Sequence, residues 1–305
     1  MITLSSVLVD VDAVAGDQSA LASARDLAAR CGAGLKIVDV LPWVPPSARH
    51  FVTADFEQEL VEHRTERLQA LAAAVFDVKT ELLRGRPATA IIREVLAAGH
   101  DLLVRSHDRD LADQPKPYGA VDMELLRLCP CPVWLIGRRP APHTPWRLVA
   151  AINPHPGDAT EQQLNLTVAE WALMLKDMTG ADLTLLHAWT VFGGSLLRSR
   201  LPDHEFIEYV ESARQASQGA LAAFTKPLAD RLNGVTVQLV EGEPERAISH
   251  FVETNGVDLV VMGTVARSGI PGLVMGNTAE RVLQRLRGSV LAIKPPGFVS
   301  PVERM

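Results

Sequence analysis

The sequence predicts two α/β domains in tandem, each a doubly wound parallel sheet covered by helices on both faces. Three observations carry this expectation. Apolar strand-like runs alternate with helix-period segments, and the second half repeats the first at a nearly fixed offset. Residues 258–283 also pass from a buried strand through a glycine-bearing turn into a helix start. Strands alternating with helices require right-handed crossovers, and crossovers place helices on both sides of a parallel sheet.

In chain order, residues 6–12 read as a strand with an acidic end, and 17–31 as a helix with Ala and Leu on one face, stopped by Gly32. A second apolar strand over 35–41 ends in the Pro42-Trp-Val-Pro-Pro46 loop, and 50–74 carries the period of a long amphipathic helix. Strand 77–83, the turn at Gly85-Arg-Pro87, helix 88–98, strand 101–105, helix 121–128 and strand 133–136 complete five strands and four helices.

The second half repeats that order. A shift of 157 positions superposes Leu82, Gly85, Pro87, Ala90, Ile91, Val95, Gly99, Asp101, Leu102 and Val104 on identical residues, from Leu239 to Val261. Gly119 falls on Gly276, Val133 on Val290 and Ile136 on Ile293. Earlier the offset is smaller, with Asp12 on Asn153 and Gly32 on Gly180, so insertions lie between. The period is domain-sized, far above the roughly 20–50 residues of stacked repeats. The expected domains are therefore 1–140 and 145–305, joined by a proline-rich stretch at 138–145.

Composition narrows the function classes. With 47% hydrophobic and 22% charged residues the chain is ordinarily globular. A formal charge of −6 and the absence of a basic face argue against nucleic-acid binding. No apolar run approaches the ~20 residues of a membrane span, and residues 1–7 lack a basic leader, so membrane insertion is not expected and a cytoplasmic location is. Three cysteines in apolar contexts, two of them as Cys129-Pro-Cys131, do not make a disulfide framework. His107 with Asp108, Asp110 and Asp113 follows no metal-ligand spacing; His187 with Asp203, His204 and Glu205 offers a Zn-like donor set, but lone histidines near strand ends are usually hydrogen-bonded loop residues, so no metal is expected.

Gly263-x2-Ala266-x9-Gly276-Asn277-Thr278 resembles the G-x2-G-x9-G-[ST] nucleotide loop of the universal stress protein family. Two positions depart from it: Ala266 puts a Cβ where that loop has glycine, and Asn277 takes the Ser/Thr place with Thr278 beside it. In this reading Gly263, Gly269, Gly272 and Gly276 give the loop positive φ, and Asn277 or Thr278 caps the next helix. Free N–H groups at that helix start favour a phosphate. The resemblance covers both halves and is closest to the two-domain branch of the family, whose second half also carries Gly-Asn-Thr-Ala-Glu, here Gly276 to Glu280.

The resemblance implies flavodoxin-like sheets of five parallel strands in the order 3-2-1-4-5, with the ligand where the winding reverses. It implies ATP in the C-terminal domain alone. Adenine contacts then fall to Asn153 and Ala188, and ribose and phosphate contacts to Met262, Gly263, Ala266, Arg267, Gly276, Asn277 and Thr278. The first half has Ser106, Arg109, Gly119 and Ala120 at the loop positions and an acidic, proline-bearing segment over 107–117, so no nucleotide is expected there. The family's habit implies pairing through the final strands, 132–137 and 289–294, which within one chain gives a monomeric pseudo-dimer or a homodimer. No Ser-His-Asp spacing, paired carboxylate box, H-E-x-x-H or Walker A sequence names a nucleophile or base, so a stress-response binding protein is expected rather than an enzyme. The alternatives are a weak ATP hydrolase and a binder of an acyl or lipid-like ligand beneath the apolar-basic 190–202 loop.

Overall fold

The computed structural model describes residues 2–14, 18–41, 44, 47, 52–73, 78–107, 118–137, 145–155, 158–264, 275–286 and 288–303. These form two compact units, one drawn from Met1–Arg139 and Arg287–Met305, the other from Pro140–Ser268 and Met275–Leu286. In chain order the N-terminal repeat contains β1 (Ser6–Asp10), α1 (Ser19–Cys31), β2 (Gly34–Val40), α2 (Ala54–Ala73), β3 (Lys79–Leu83), α3 (Pro87–Ala98), β4 (Leu102–Ser106), α4 (Ala120–Leu128) and β5 (Val133–Ile136). The C-terminal repeat contains β6 (Arg147–Ala151), α5 (Ala159–Thr179), β7 (Asp182–Trp189), α6 (Gly194–Arg198), α7 (Asp203–Thr225), a short 3-10 helix (Lys226–Arg231), β8 (Val235–Glu241), α8 (Pro244–Asn255), β9 (Leu259–Gly263), α9 (Asn277–Arg285) and β10 (Ser289–Ile293).

In the first unit β3, β2, β1, β4 and β5 lie side by side in that order and all parallel. In the second, β8, β7, β6 and β9 do the same. The first strand of each repeat is thus central and the winding reverses beside it, between β1 and β4 and between β6 and β9. The strand β10 makes the expected pairing through the final strands of the two repeats. It packs in the first unit, antiparallel to β5, with Val290 opposite Leu135 and Ala292 opposite Val133. All four residues of β5 are buried, and a strand edge that apolar needs a partner. Lys294 follows β10 and fixes it to α4, its Nζ donating to the carbonyls of Leu126 and Arg127.

The repeated residues have local reasons. Asp101 Oδ2 accepts from the backbone N–H groups of Ser5 and Ser6, and Asp258 Oδ2 from that of Arg147. Each aspartate ties the start of the first strand of its repeat to the start of the fourth. Gly32 and Gly180 end α1 and α5 in the left-handed region, at φ 65° and 68°, where a Cβ is strained. The central strands are buried almost throughout. The helices covering the outer strands are mostly exposed: α2 buries only Arg64 and Leu68, and α7 only Ser217 and Leu221. The stretch read as a loop over 190–202 contains α6, with Phe192 and Leu196 exposed.

Candidate functional site

Register alone gathers most of the expected site at the carboxyl ends of the second unit's strands. Ala151 lies opposite Met262 and Leu186 in the two neighbouring strands, so Asn153, Ala188, Met262 and Gly263 sit just beyond or at those ends. Gly276 N–H donates to Thr264 O at 3.0 Å, which pins the start of α9 to the end of β9. Gly276, Asn277 and Thr278 therefore join the group. Ala266 and Arg267, with Gly269 and Gly272, lie outside the described residues.

The glycines do not act as the loop pattern implies. Gly276 has φ −62° and ψ 137°, ordinary extended backbone, and Gly263 is not among the positive-φ glycines. Gly263 is required for packing instead: a Cβ there would lie 2.7 Å from Leu164 Cδ2 and 3.0 Å from its Cγ, so α5 comes this close to β9 only over glycine. The expected cap also differs. Gly276 is itself the N-cap of α9 and offers no side chain, while Asn277 and Thr278 are the first two helical residues and are exposed. By contrast, α5 is capped by Asp158, whose Oδ1 accepts from Glu161 N–H at 2.8 Å. Neither Gly276 nor Gly119, the N-cap of α4, gives its helix a side-chain cap.

Asn153 is built into its turn. Its backbone N–H donates to Asn165 Oδ1 at 2.8 Å, its Nδ2 to Glu161 Oε1 at 3.0 Å, and its Oδ1 accepts from His155 N–H at 3.3 Å. Beside it His187, 5% exposed, directs Nδ1 to Ile152 O at 3.3 Å. A carbonyl only accepts, so Nδ1 carries the proton and Nε2 presents a lone pair. Burial pulls this imidazole down to about 4, so it is neutral at physiological pH.

The same place in the first unit is filled with charge. Arg105 forms ion pairs with Asp10 and, through Nε at 2.8 Å, with Asp122. Arg64 reaches down from α2 to Asp39 at 2.6 Å and Asp12 at 3.4 Å. Asp10, Asp39, Asp122 and Arg105 are each 5% exposed or less. Burial pushes the Asp39 carboxyl above the usual carboxylate range, against the pull of Arg64. Asp122 also closes the start of α4, accepting from Gly119 N–H at 3.2 Å. A cavity of about 210 Å³ remains, lined by Asp10, Asp12, Arg64 and Arg105 among others.

Sequence reasoning did not single out this network, although the repeat contains its signal. Strand register equates Asp10 and Arg105 with Ala151 and Met262, and the 157 shift equates Asp122 with Ala279. Asp39 takes the place of His187, and the buried pair Arg64 and Leu68 of α2 matches Ser217 and Leu221 of α7 in its four-residue spacing. Each charged residue of the first unit stands opposite a neutral one in the second. Among the described residues no group of three or more His, Cys, Asp or Glu could hold a metal ion, and no helix is long and apolar enough to cross a membrane.

Two doubly wound α/β repeats in one chain, each with a helix start beside its switch point, define a tandem α/β protein. The universal stress protein family model matches residues 4–137 and 158–294. The chain belongs to that family. It is similar to Universal stress protein E of Escherichia coli K12, with 30% identity over 320 residues covering 99% of this chain and 98% of that one. Universal stress protein E of Photorhabdus laumondii is 27% identical, with 99% of each chain covered. Among solved structures, a putative universal stress protein from Pseudomonas aeruginosa UCBPP-PA14 is 25% identical with a TM-score of 0.67, covering 96% of this chain and 94% of that one.

Proposed function

We propose that the chain is a stress-response binding protein whose second unit takes ATP and whose first unit takes no nucleotide. The carrying observation is the contrast between the two equivalent strand ends: Asp10, Arg105 and Asp122 fill the first with charge, whereas the second has Ala151, Met262 and Ala279 in those places. Uncapped N–H groups at the positive end of a helix suit phosphate oxygens. In this reading Gly276, Asn277, Thr278 and Arg267 meet the phosphates, Met262, Gly263 and Ala266 flank the ribose, and Asn153 and Ala188 border the base. Three cysteines that form no disulfide match a reducing compartment, which supports action in the cytoplasm.

Calorimetric titration with ATP tests this, beside native mass spectrometry of protein purified without added ligand. Wild type binds ATP. Ala279→Asp, which transplants the first unit's carboxylate, removes binding, as does Gly276→Trp, while Gly119→Trp at the equivalent helix start of the first unit leaves it intact. Absence of ATP binding, a co-purified lipid, or full binding by Ala279→Asp overturns the proposal.

A further inference from the structure

We propose that His187 selects the base of the bound nucleotide, its Nε2 accepting a hydrogen bond from the 6-amino group of adenine and disfavouring a 6-oxo purine. This rests on the reading of the second unit as an ATP site and adds to it a residue that reads the base.

Three observations carry the inference. His187 is 5% exposed, and its Nε2 is a buried atom without a hydrogen-bond partner. Buried polar atoms are nearly always satisfied, so an orphaned acceptor at the end of a strand calls for a partner that arrives from outside. The orientation of the ring is fixed: Nδ1 is held by the Ile152 carbonyl, so Nε2 faces away from β6. His187 immediately precedes Ala188 in β7, and its ring bonds the carbonyl of Ile152, the residue before Asn153. The nearest ring is that of His155, edge-on at 5.8 Å in the exposed turn after β6.

The other repeat shows what normally occupies that polar group. Asp39, at the equivalent position of β2, is paired with Arg64 at 2.6 Å. The second unit keeps a polar residue on the strand but has Ser217 at the equivalent buried position of α7, too short to replace a guanidinium. The partner from α7 is gone while the hydrogen-bonding residue remains. The lone pair that results is complementary to an amine donor and repels a carbonyl oxygen.

ATP and inosine 5′-triphosphate, which differ at position 6 of the purine, are the probes, with affinities measured by calorimetric titration on the full chain. Wild type prefers ATP by about tenfold or more, the size of one hydrogen bond to a well-defined group. His187→Phe keeps the ring volume and removes the acceptor, which brings the two affinities within about twofold of each other. His187→Gln restores an acceptor and part of the preference. Equal affinities in wild type, or an unchanged preference in a folded His187→Phe variant, overturn the role of His187 while the ATP reading stands. If neither nucleotide binds, both readings fall.

Discussion

Replacing Arg105 by Met, the residue at the same register position of the second unit, tests whether the first unit's cleft is held by charge. The substitution leaves Asp10 and Asp122, 1% and 4% exposed, without the guanidinium that neutralises both. Breaking a buried ion pair by removing one partner costs about 3–5 kcal/mol, because the remaining charge is desolvated without compensation. Asp10→Ala, Arg105→Met and Asp122→Ala together install the second unit's Ala151, Met262 and Ala279 and remove the stranded charges. The triple variant is therefore more stable than the single one by at least ~2 kcal/mol, even after losing about 1 kcal/mol for the Asp122 contact at the start of α4. Amide exchange of β1 and β4 reports opening of this unit separately from the other, and urea unfolding supplies the global values. If Arg105→Met costs under ~1 kcal/mol, or if the two further substitutions add to its cost, charge compensation does not hold these strand ends together.

Gly263→Ala drives a Cβ to 2.7 Å from Leu164 Cδ2, so it destabilises the second unit by about 1–3 kcal/mol, and Leu164→Ala in the same chain recovers part of the loss when both are followed by thermal unfolding. For His187 the folded imidazole titrates at about 4, below its unfolded value near 6.5, with His155 the titratable neighbour that opposes its protonation. The unfolded state therefore binds the proton first as pH falls, and stability present above about 6.5 is lost toward 4, by roughly 3 kcal/mol in all. Urea midpoints between pH 7 and 4 give this slope, and His187→Phe flattens it.

The fold was legible because its determinants are local or periodic. Helix stops at Gly32 and Gly180, apolar strand runs and the 157-residue shift each need only neighbouring letters or a self-comparison. Boundaries moved by small amounts: α2 begins at Ala54 rather than near 50, and β4 runs from Leu102 to Ser106 because Asp101 accepts from Ser5 and Ser6. The site was legible in place but not in chemistry. Asp10, Asp39, Arg64, Arg105 and Asp122 come from five different elements, and no spacing in the sequence says that their charges meet. The glycine pattern pointed to the right turn for a reason that the structure replaces, since Gly263 admits Leu164 and does not supply positive φ.

A helix start has one set of free N–H groups, and a resident carboxylate and a visiting phosphate compete for it. In the first unit the Asp122 carboxylate stands beside the helix start, accepting from the N–H of the N-cap Gly119, and is itself neutralised by Arg105, which also pairs with Asp10. Both carboxylates depend on the one guanidinium, so exchanging Arg105 alone leaves two buried carboxylates without their shared cation. This dependence holds the first copy in its charged form: once both carboxylates surround Arg105, loss of the arginine before them is destabilising. The second copy has Ala151, Met262 and Ala279 in those places and lacks this interlock of charges.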